Sequence, residues 1–238
     1  MSVTIDCISE LHPRNFYHFY YRRQRPVLLS GAAQAWLPCQ KWTPDYLVAR
    51  LGEKAVKVFR NDTRLFGLPG TQSHTLPFAA AAQLILAEAP YRVRGSPIRE
   101  CYPELWPDLE PLPLLSPWQA RMEMLLWFSP GDCVTPLHYD PWHTCFVQVY
   151  GKKRFTLFAP ADAPWLYPDE AAAHSGQKRA SRVDITQPDE EQFPLFRRAT
   201  AIRVELGAGD MLYIPPGWWH AVKSLDVEIS LTNYWEPS

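Results

Sequence analysis

Three side chains carry the most legible chemistry in this sequence: His138 and Asp140 in Leu137-His138-Tyr139-Asp140, and His220 in Gly217-Trp218-Trp219-His220. Two imidazoles and one carboxylate make a facial triad. Such a triad holds one side of an octahedral metal and leaves the other positions open, as non-heme Fe(II) oxygenases require. His138 and Asp140 stand two apart, so on a strand they project to one face. His220 follows Gly207-Ala208-Gly209-Asp210-Met211-Leu212-Tyr213-Ile214-Pro215, a glycine turn and short apolar strand that can return the chain to the metal from the opposite side of a barrel. His-X-Asp alone occurs by chance in many proteins, so the weight lies in this context. His12, His74, His143 and His174 lack such a partner pattern and are read as structural or surface histidines, although His143 follows closely on Asp140.

Lys153 is the second signal. It lies fifteen residues after His138, beyond the run Phe146-Val147-Gln148-Val149 and a Tyr150-Gly151-Lys152 turn, and so starts the adjacent strand. A lysine directed into a barrel needs an anionic partner, because an unpaired buried ammonium is costly. A dicarboxylate co-substrate supplies one. Taken simply as charge clusters, Lys152-Lys153-Arg154 and Lys178-Arg179 are short enough to be solvated turns.

These residues need a scaffold, and the chain changes character at about Glu123 to provide it. Apolar, β-rich runs follow at 124–128, 134–139, 145–150, 155–158, 201–206, 211–214, 219–223 and 227–234, eight candidate strands punctuated by Gly and Pro. They predict an antiparallel sandwich or squashed barrel. The proline-rich, charged connection 160–200 reads as a surface insertion between the halves of that barrel, placed to shape a substrate entrance. Residues 1–122 read as mixed helix and strand packing on the barrel. Pro13 opens a helix carrying Phe16, Tyr17, Phe19 and Tyr20; Thr43-Pro44 caps and opens another that ends near Gly52; Phe78 to Leu86 is a run of strong helix formers. Pro26-Val27-Leu28-Leu29 and Ala55-Val56-Lys57-Val58-Phe59 read as strands.

At 238 residues and 47% hydrophobic content the chain can bury a substantial core, and one domain over 1–238 is expected. A formal net charge of -1 gives no global basic field to favour nucleic acid. Five cysteines (Cys7, Cys39, Cys101, Cys133, Cys145), with no Cys-X-X-Cys pair, argue against a disulfide framework or thiolate zinc site and favour a reducing compartment. The N-terminus lacks a basic region followed by an apolar run, and no segment is long enough to span a bilayer. A cytoplasmic location is expected, with the nucleus open for a eukaryotic protein.

The ordered segments Thr135-Pro136-Leu137-His138-Tyr139-Asp140, Gly151-Lys152-Lys153-Arg154, Arg182-Val183-Asp184, Gly209-Asp210-Met211-Leu212-Tyr213-Ile214-Pro215 and Trp218-Trp219-His220 resemble the JmjC-type 2-oxoglutarate oxygenases. The likeness is to the small hydroxylase branch that includes asparaginyl and arginyl hydroxylases and a tRNA wybutosine hydroxylase. It runs from about Arg25 to Trp235. It implies a mainly β fold with flanking helices, a double-stranded β-helix (jelly-roll, cupin) barrel, with Fe(II), 2-oxoglutarate and O2 as cofactor and co-substrates. His138, Asp140 and His220 would be both the metal ligands and the catalytic set. Lys153 would bind the distal carboxylate of 2-oxoglutarate; Thr135 matches a hydroxyl that bonds the same carboxylate, and Tyr91 a tyrosine that reaches this pocket. Asn233 falls where asparaginyl hydroxylases carry an active-site asparagine. Where several relatives have Gln-Gln-Asn, this chain has Trp142-His143-Thr144, so Thr144 keeps a hydroxyl and loses the amide. Trp127 lies where the arginyl hydroxylases have a substrate-side tryptophan, and core packing explains it equally well. Trp142, Trp218 and Trp219 share that ambiguity.

The resulting expectation is a dioxygenase that hydroxylates a C–H bond, of a protein or peptide side chain, forming succinate and CO2. A small-molecule or tRNA-base substrate, histone N-methyl demethylation and a non-catalytic, metal-binding interaction protein stay open, as does a homodimer. No membrane partner is expected.

Overall fold

The computed structural model describes residues 4–60, 72–112, 114–115, 123–169 and 179–235. The first half contributes β1 (Asp6–Ile8), α1 (Pro13–Phe16), β2 (Val27–Leu29), α2 (Leu37–Lys41), α3 (Pro44–Leu51), β3 (Ala55–Arg60), β4 (Ser73–Pro77), α4 (Phe78–Leu86), β5 (Tyr91–Pro97) and α5 (Ile98–Cys101). The second contributes β6 (Glu123–Ser129), β7 (Val134–Tyr139), β8 (His143–Tyr150), β9 (Lys153–Phe158), β10 (Arg179–Ala180), β11 (Ile202–Leu206), β12 (Met211–Ile214), β13 (Trp219–Ser224) and β14 (Glu228–Trp235). Every strand expected after residue 123 forms. β1, β4, β5 and β10 are additional.

Two sheets face each other. The larger has nine strands in the order β1-β2-β12-β8-β14-β6-β5-β3-β4, and the smaller has five, β10-β7-β13-β9-β11. The larger sheet thus joins strands from both sides of residue 123. Phe146, Phe155, Leu157, Leu206, Leu212, Ile214 and Val222 fill the space between the sheets. The outer face of the large sheet is covered by the N-terminal elements. α4 buries Phe78, Ala81, Ala82 and Ile85, spaced as one helical face, in the main core with Leu126, Phe128, Leu231 and Trp235.

Local chemistry explains the element ends. Thr43 Oγ1 accepts from Tyr46 N at 3.1 Å and Pro44 opens α3, as its sequence predicts. His12 caps α1 by accepting from Arg14 N at 3.2 Å, but the helix expected to carry Tyr17 to Tyr20 passes after Phe16 into a π-turn over Tyr17–Tyr21. At the approach to β12, Asp210 accepts from Gly207 N at 2.9 Å and Gly31 N at 2.8 Å. Gly209 sits at φ +92, where a Cβ would lie 3.1 Å from the Gln34 backbone.

The described parts of the connection 160–200 lie on the outside of the small sheet. Leu166, Ala163, Ile185, Phe196 and Ala199 pack there against Leu137, Phe158 and Trp219. Part of it, β10, pairs with β7 so that Ala180 lies opposite His138. Residues 170–178, with His174 and Lys178, lie outside the described residues.

Candidate metal and co-substrate site

The small sheet brings the triad together. β7 carries His138 and delivers Asp140 just past its end, and β13 places His220 directly across from His138. The ligand atoms of His138, Asp140 and His220 all lie within 4.8 Å of one another. Asp140 Oδ2 is 3.6 Å from His220 Nε2, and Oδ1 is 4.0 Å from His138 Nε2. Each ring's other nitrogen faces a backbone carbonyl: His138 Nδ1 lies 2.8 Å from Pro136 O, and His220 Nδ1 3.1 Å from Trp218 O. A carbonyl can only accept, so each Nδ1 carries the proton and each Nε2 lone pair is directed at the Asp140 side. All three side chains are buried. A buried carboxylate between two neutral imidazoles leaves a negative charge that a divalent cation neutralises, so the donor set fits a metal.

Tyr234, on β14, faces the same carboxylate. Burial first, and the Asp140 charge and hydrogen bond next, hold its phenol well above the ordinary range, so it remains a donor to Asp140. Phe146 lies against His220 with ring centroids 5.7 Å apart. Thr144, two residues earlier on β8 and opposite Tyr234, shares this face and is fully buried.

Lys153 stands in the same inter-sheet space, the chamber, at the start of β9, four residues along the strand from Leu157, the partner of His220. Its Nζ donates to Ser230 Oγ at 2.8 Å and lies 3.0 Å from Glu228 Oε1, with the pair almost fully buried. The anionic partner that the sequence assigned to a co-substrate is therefore already supplied, in part, by the chain's own Glu228. Thr135 faces the same space because β7 shifts register against β13 between His220 and Val222. The extra residue lets Thr135 and His138, three apart, both face inward. Thr135 Oγ1 accepts from Arg92 Nη1 at 3.0 Å.

The family described as cupin-like domain matches residues 13–238. The chain is a cupin-like JmjC domain. It is similar to JmjC domain-containing protein D of Dictyostelium discoideum, 42% identical over 116 residues, 48% of this chain and 25% of that protein. Lysine-specific demethylase 8 of Xenopus tropicalis is 29% identical over 238 residues, covering 96% of this chain and 52% of the relative. tRNA wybutosine-synthesizing protein 5 of Gallus gallus is 28% identical over 257 residues, covering 99% and 78%. Against the first two of these relatives the chain spans a quarter to about half of their length.

Within this cupin-like domain, several residues expected at the site face elsewhere. On β14, Glu228 and Ser230 reach Lys153 and Tyr234 reaches Asp140, so even-numbered positions point inward. Asn233 is turned the other way, toward the layer that holds Leu231 and Trp235, and its Nδ2 donates to Cys145 O at 3.1 Å. The inward neighbour is Thr232, whose buried Oγ1 has no partner among the described residues. β5 shows the same one-residue slip. Tyr91 packs on the outer core and against the His74 ring, 5.8 Å between centroids, whereas Arg92 enters the chamber. Trp127 lies at the Lys153 end, beneath Lys153 Nζ at 5.7 Å and Arg92 at 5.9 Å. Trp142, 37% exposed and 5.7 Å from the Tyr234 ring, stands at the rim above the metal end.

Trp218, Trp219 and His143 serve the frame of the JmjC domain. Trp219 is buried on the outer side of the small sheet and Trp218 Nε1 donates to Gln24 O at 3.1 Å. His143 is stacked on Tyr21 and Trp235 and bonded to the Tyr213 hydroxyl at 2.7 Å, and burial lowers its pKa to about 4. Arg92, Glu228, Ser230, Thr232 and Tyr234 were missed in the sequence. The polar residues at every second position from Glu228 to Thr232 were the available signal for β14; nothing local marks Arg92.

Proposed function

We propose that the chain is an Fe(II)- and 2-oxoglutarate-dependent oxygenase that hydroxylates a C–H bond of a protein or peptide side chain. What supports this is a His-Asp-His donor set and, on the facing sides of the same two sheets, a buried ammonium bonded to Ser230 and a Thr135 hydroxyl bonded to Arg92. His138, Asp140 and His220 would hold the iron; Lys153 and Thr135 would hold the distal carboxylate of 2-oxoglutarate; Tyr234 would orient Asp140. Bound iron would supply the redox chemistry, with one atom of O2 entering the substrate C–H bond and the other the succinate formed as CO2 leaves. Trp142 at the rim is placed to meet a substrate, and the inter-sheet apolar residues exclude water from the chamber.

A protein or peptide substrate is favoured over RNA because the net charge of -1 provides no phosphate-attracting field. The tRNA-base reading is the second one, since the relative named for wybutosine synthesis is covered over 78% of its length. Anaerobic titration with Fe(II) and 2-oxoglutarate should produce a weak visible charge-transfer band, lost in His138→Ala and Asp140→Ala while the circular dichroism is retained. No band and no succinate with any substrate would instead leave a metal-binding interaction protein or a cupin using another metal. Product mass then separates outcomes: a gain of one oxygen on peptide or RNA indicates hydroxylation, and loss of a methyl group with formaldehyde indicates demethylation.

A further inference from the structure

Arg92 is 6% exposed, yet among the described residues no carboxylate lies within ion-pair distance of it. Its Nη1 donates to Thr135 Oγ1 at 3.0 Å and to Cys133 Sγ at 3.4 Å, and its Nε has no acceptor among the described residues. A guanidinium has five N–H donors in a fork that matches a carboxylate, and burying one without an anion is costly. Lys153 shares the Trp127 ring with it, Nζ at 5.7 Å and the guanidinium carbon at 5.9 Å. The one buried anion in reach of either is Glu228, 3.0 Å from Lys153, and neither of its oxygens accepts a well-aligned hydrogen bond among the described residues. Among the described residues, two buried cations at the Trp127 ring therefore have one buried anion, which is paired with Lys153. Nearby Arg94 is held below its ordinary range, by burial first and by the Arg92 charge second, as expected where positive charge is crowded.

We infer that Arg92, together with Lys153, clamps the distal carboxylate of the dicarboxylate co-substrate, and that Glu228 is the internal counter-charge that keeps the empty pocket from holding two unopposed cations. The single uncompensated positive charge sets the pocket for one carboxylate. Arg92 supplies the forked, orienting contact, and Lys153 a point charge shared between Glu228 and the ligand. Glu228 acts as a specificity-determining residue, because its charge opposes the incoming carboxylate and limits how tightly dicarboxylates, product succinate included, are held. This inference rests on the 2-oxoglutarate reading above.

The test is binding without turnover. The Mn(II)-loaded full chain is titrated calorimetrically with 2-oxoglutarate and with 2-oxopentanoate, which keeps the metal-chelating end and lacks the distal carboxylate. The wild-type protein should prefer 2-oxoglutarate. Arg92→Met should weaken 2-oxoglutarate about 10- to 100-fold and leave 2-oxopentanoate unchanged, which also reports that the variant is folded. Arg92→Lys should fall between, and serves if the methionine variant does not fold. Glu228→Gln should tighten 2-oxoglutarate and succinate several-fold while lowering the melting temperature of the ligand-free protein. A wild-type protein that does not prefer 2-oxoglutarate overturns the co-substrate reading itself. A preserved wild-type preference with Arg92→Met binding 2-oxoglutarate normally, or Glu228→Gln binding it no tighter, overturns only this inference.

Discussion

His138 and His220 owe their coordinating geometry to two carbonyls two residues upstream, Pro136 O and Trp218 O, so the tautomer that exposes Nε2 is written into each local segment. His143 shows the opposite use of an imidazole: stacked between Tyr21 and Trp235, it stays neutral because burial lowers its pKa to about 4. In the unfolded chain it titrates at about 6.5. The unfolded state therefore binds the additional proton between about pH 6.5 and pH 4, so this residue's contribution erodes as pH falls through that window and levels off below it. His143→Phe should flatten the stability profile there, measured by denaturant midpoints from pH 7 to pH 4; an unchanged slope would remove His143 as its source. For Lys153→Ala, loss of a charge-assisted contact worth roughly 1.5–3 kcal/mol predicts a 2-oxoglutarate requirement raised about 10- to 150-fold, with Mn(II) affinity little changed. Measured metal affinity and the concentration dependence of succinate formation separate the two effects.

At the scale of elements, the turn between β8 and β9 aims Lys153. Gly151 has φ +69, and a Cβ there would collide with the carbonyl oxygen of Val227 and the Asp226 side chain. Asp226 Oδ1 accepts from Lys152 N at 2.6 Å and Leu225 N donates to Lys152 O at 2.9 Å, so the turn is tied to the entry of β14. Gly151→Ala should cost at least about 1–3 kcal/mol from the left-handed conformation alone. It should also weaken 2-oxoglutarate binding, because the turn feeds both Lys153 and Glu228. A denaturant midpoint equal to that of the wild type would show that the turn relaxes freely. The irregularity in β7 has a comparable role, since without it Thr135 would face Leu137's side of the sheet.

For the whole molecule, the proposed metal and co-substrate would be coupled to folding, because the donors that would hold them come from strands distant in sequence and assemble only in the native state. Mn(II) with 2-oxoglutarate at one hundred times its Kd should stabilise the protein by about 2.7 kcal/mol, a melting shift of roughly 5–10 °C for a chain of this size. Asp140→Ala should abolish most of the shift. A wild-type melting temperature indifferent to both ligands would argue that the chamber does not bind them. No helix among the described residues is long and apolar enough to cross a membrane.

The second-half strands and the triad were legible because both rest on short-range pattern: His138 and Asp140 share a face by spacing alone, Gly and Pro mark the strand ends, and Lys153 follows a glycine turn. Which face of β5 and β14 looks inward was not legible. All eight residues of β14 are buried, since the N-terminal core covers one side and the chamber the other, so burial leaves no alternation to read. A shift of one residue exchanges Asn233 for Thr232 and Tyr91 for Arg92, and only pairing with β6, β8 and β3 decides it. The sequence by itself determined the candidate His-Asp-His donor set, the inward lysine and the β-rich scaffold. Tertiary structure decided what surrounds Lys153, because the Arg92, Lys153 and Glu228 cluster comes from three strands whose charges meet only when the sheets close.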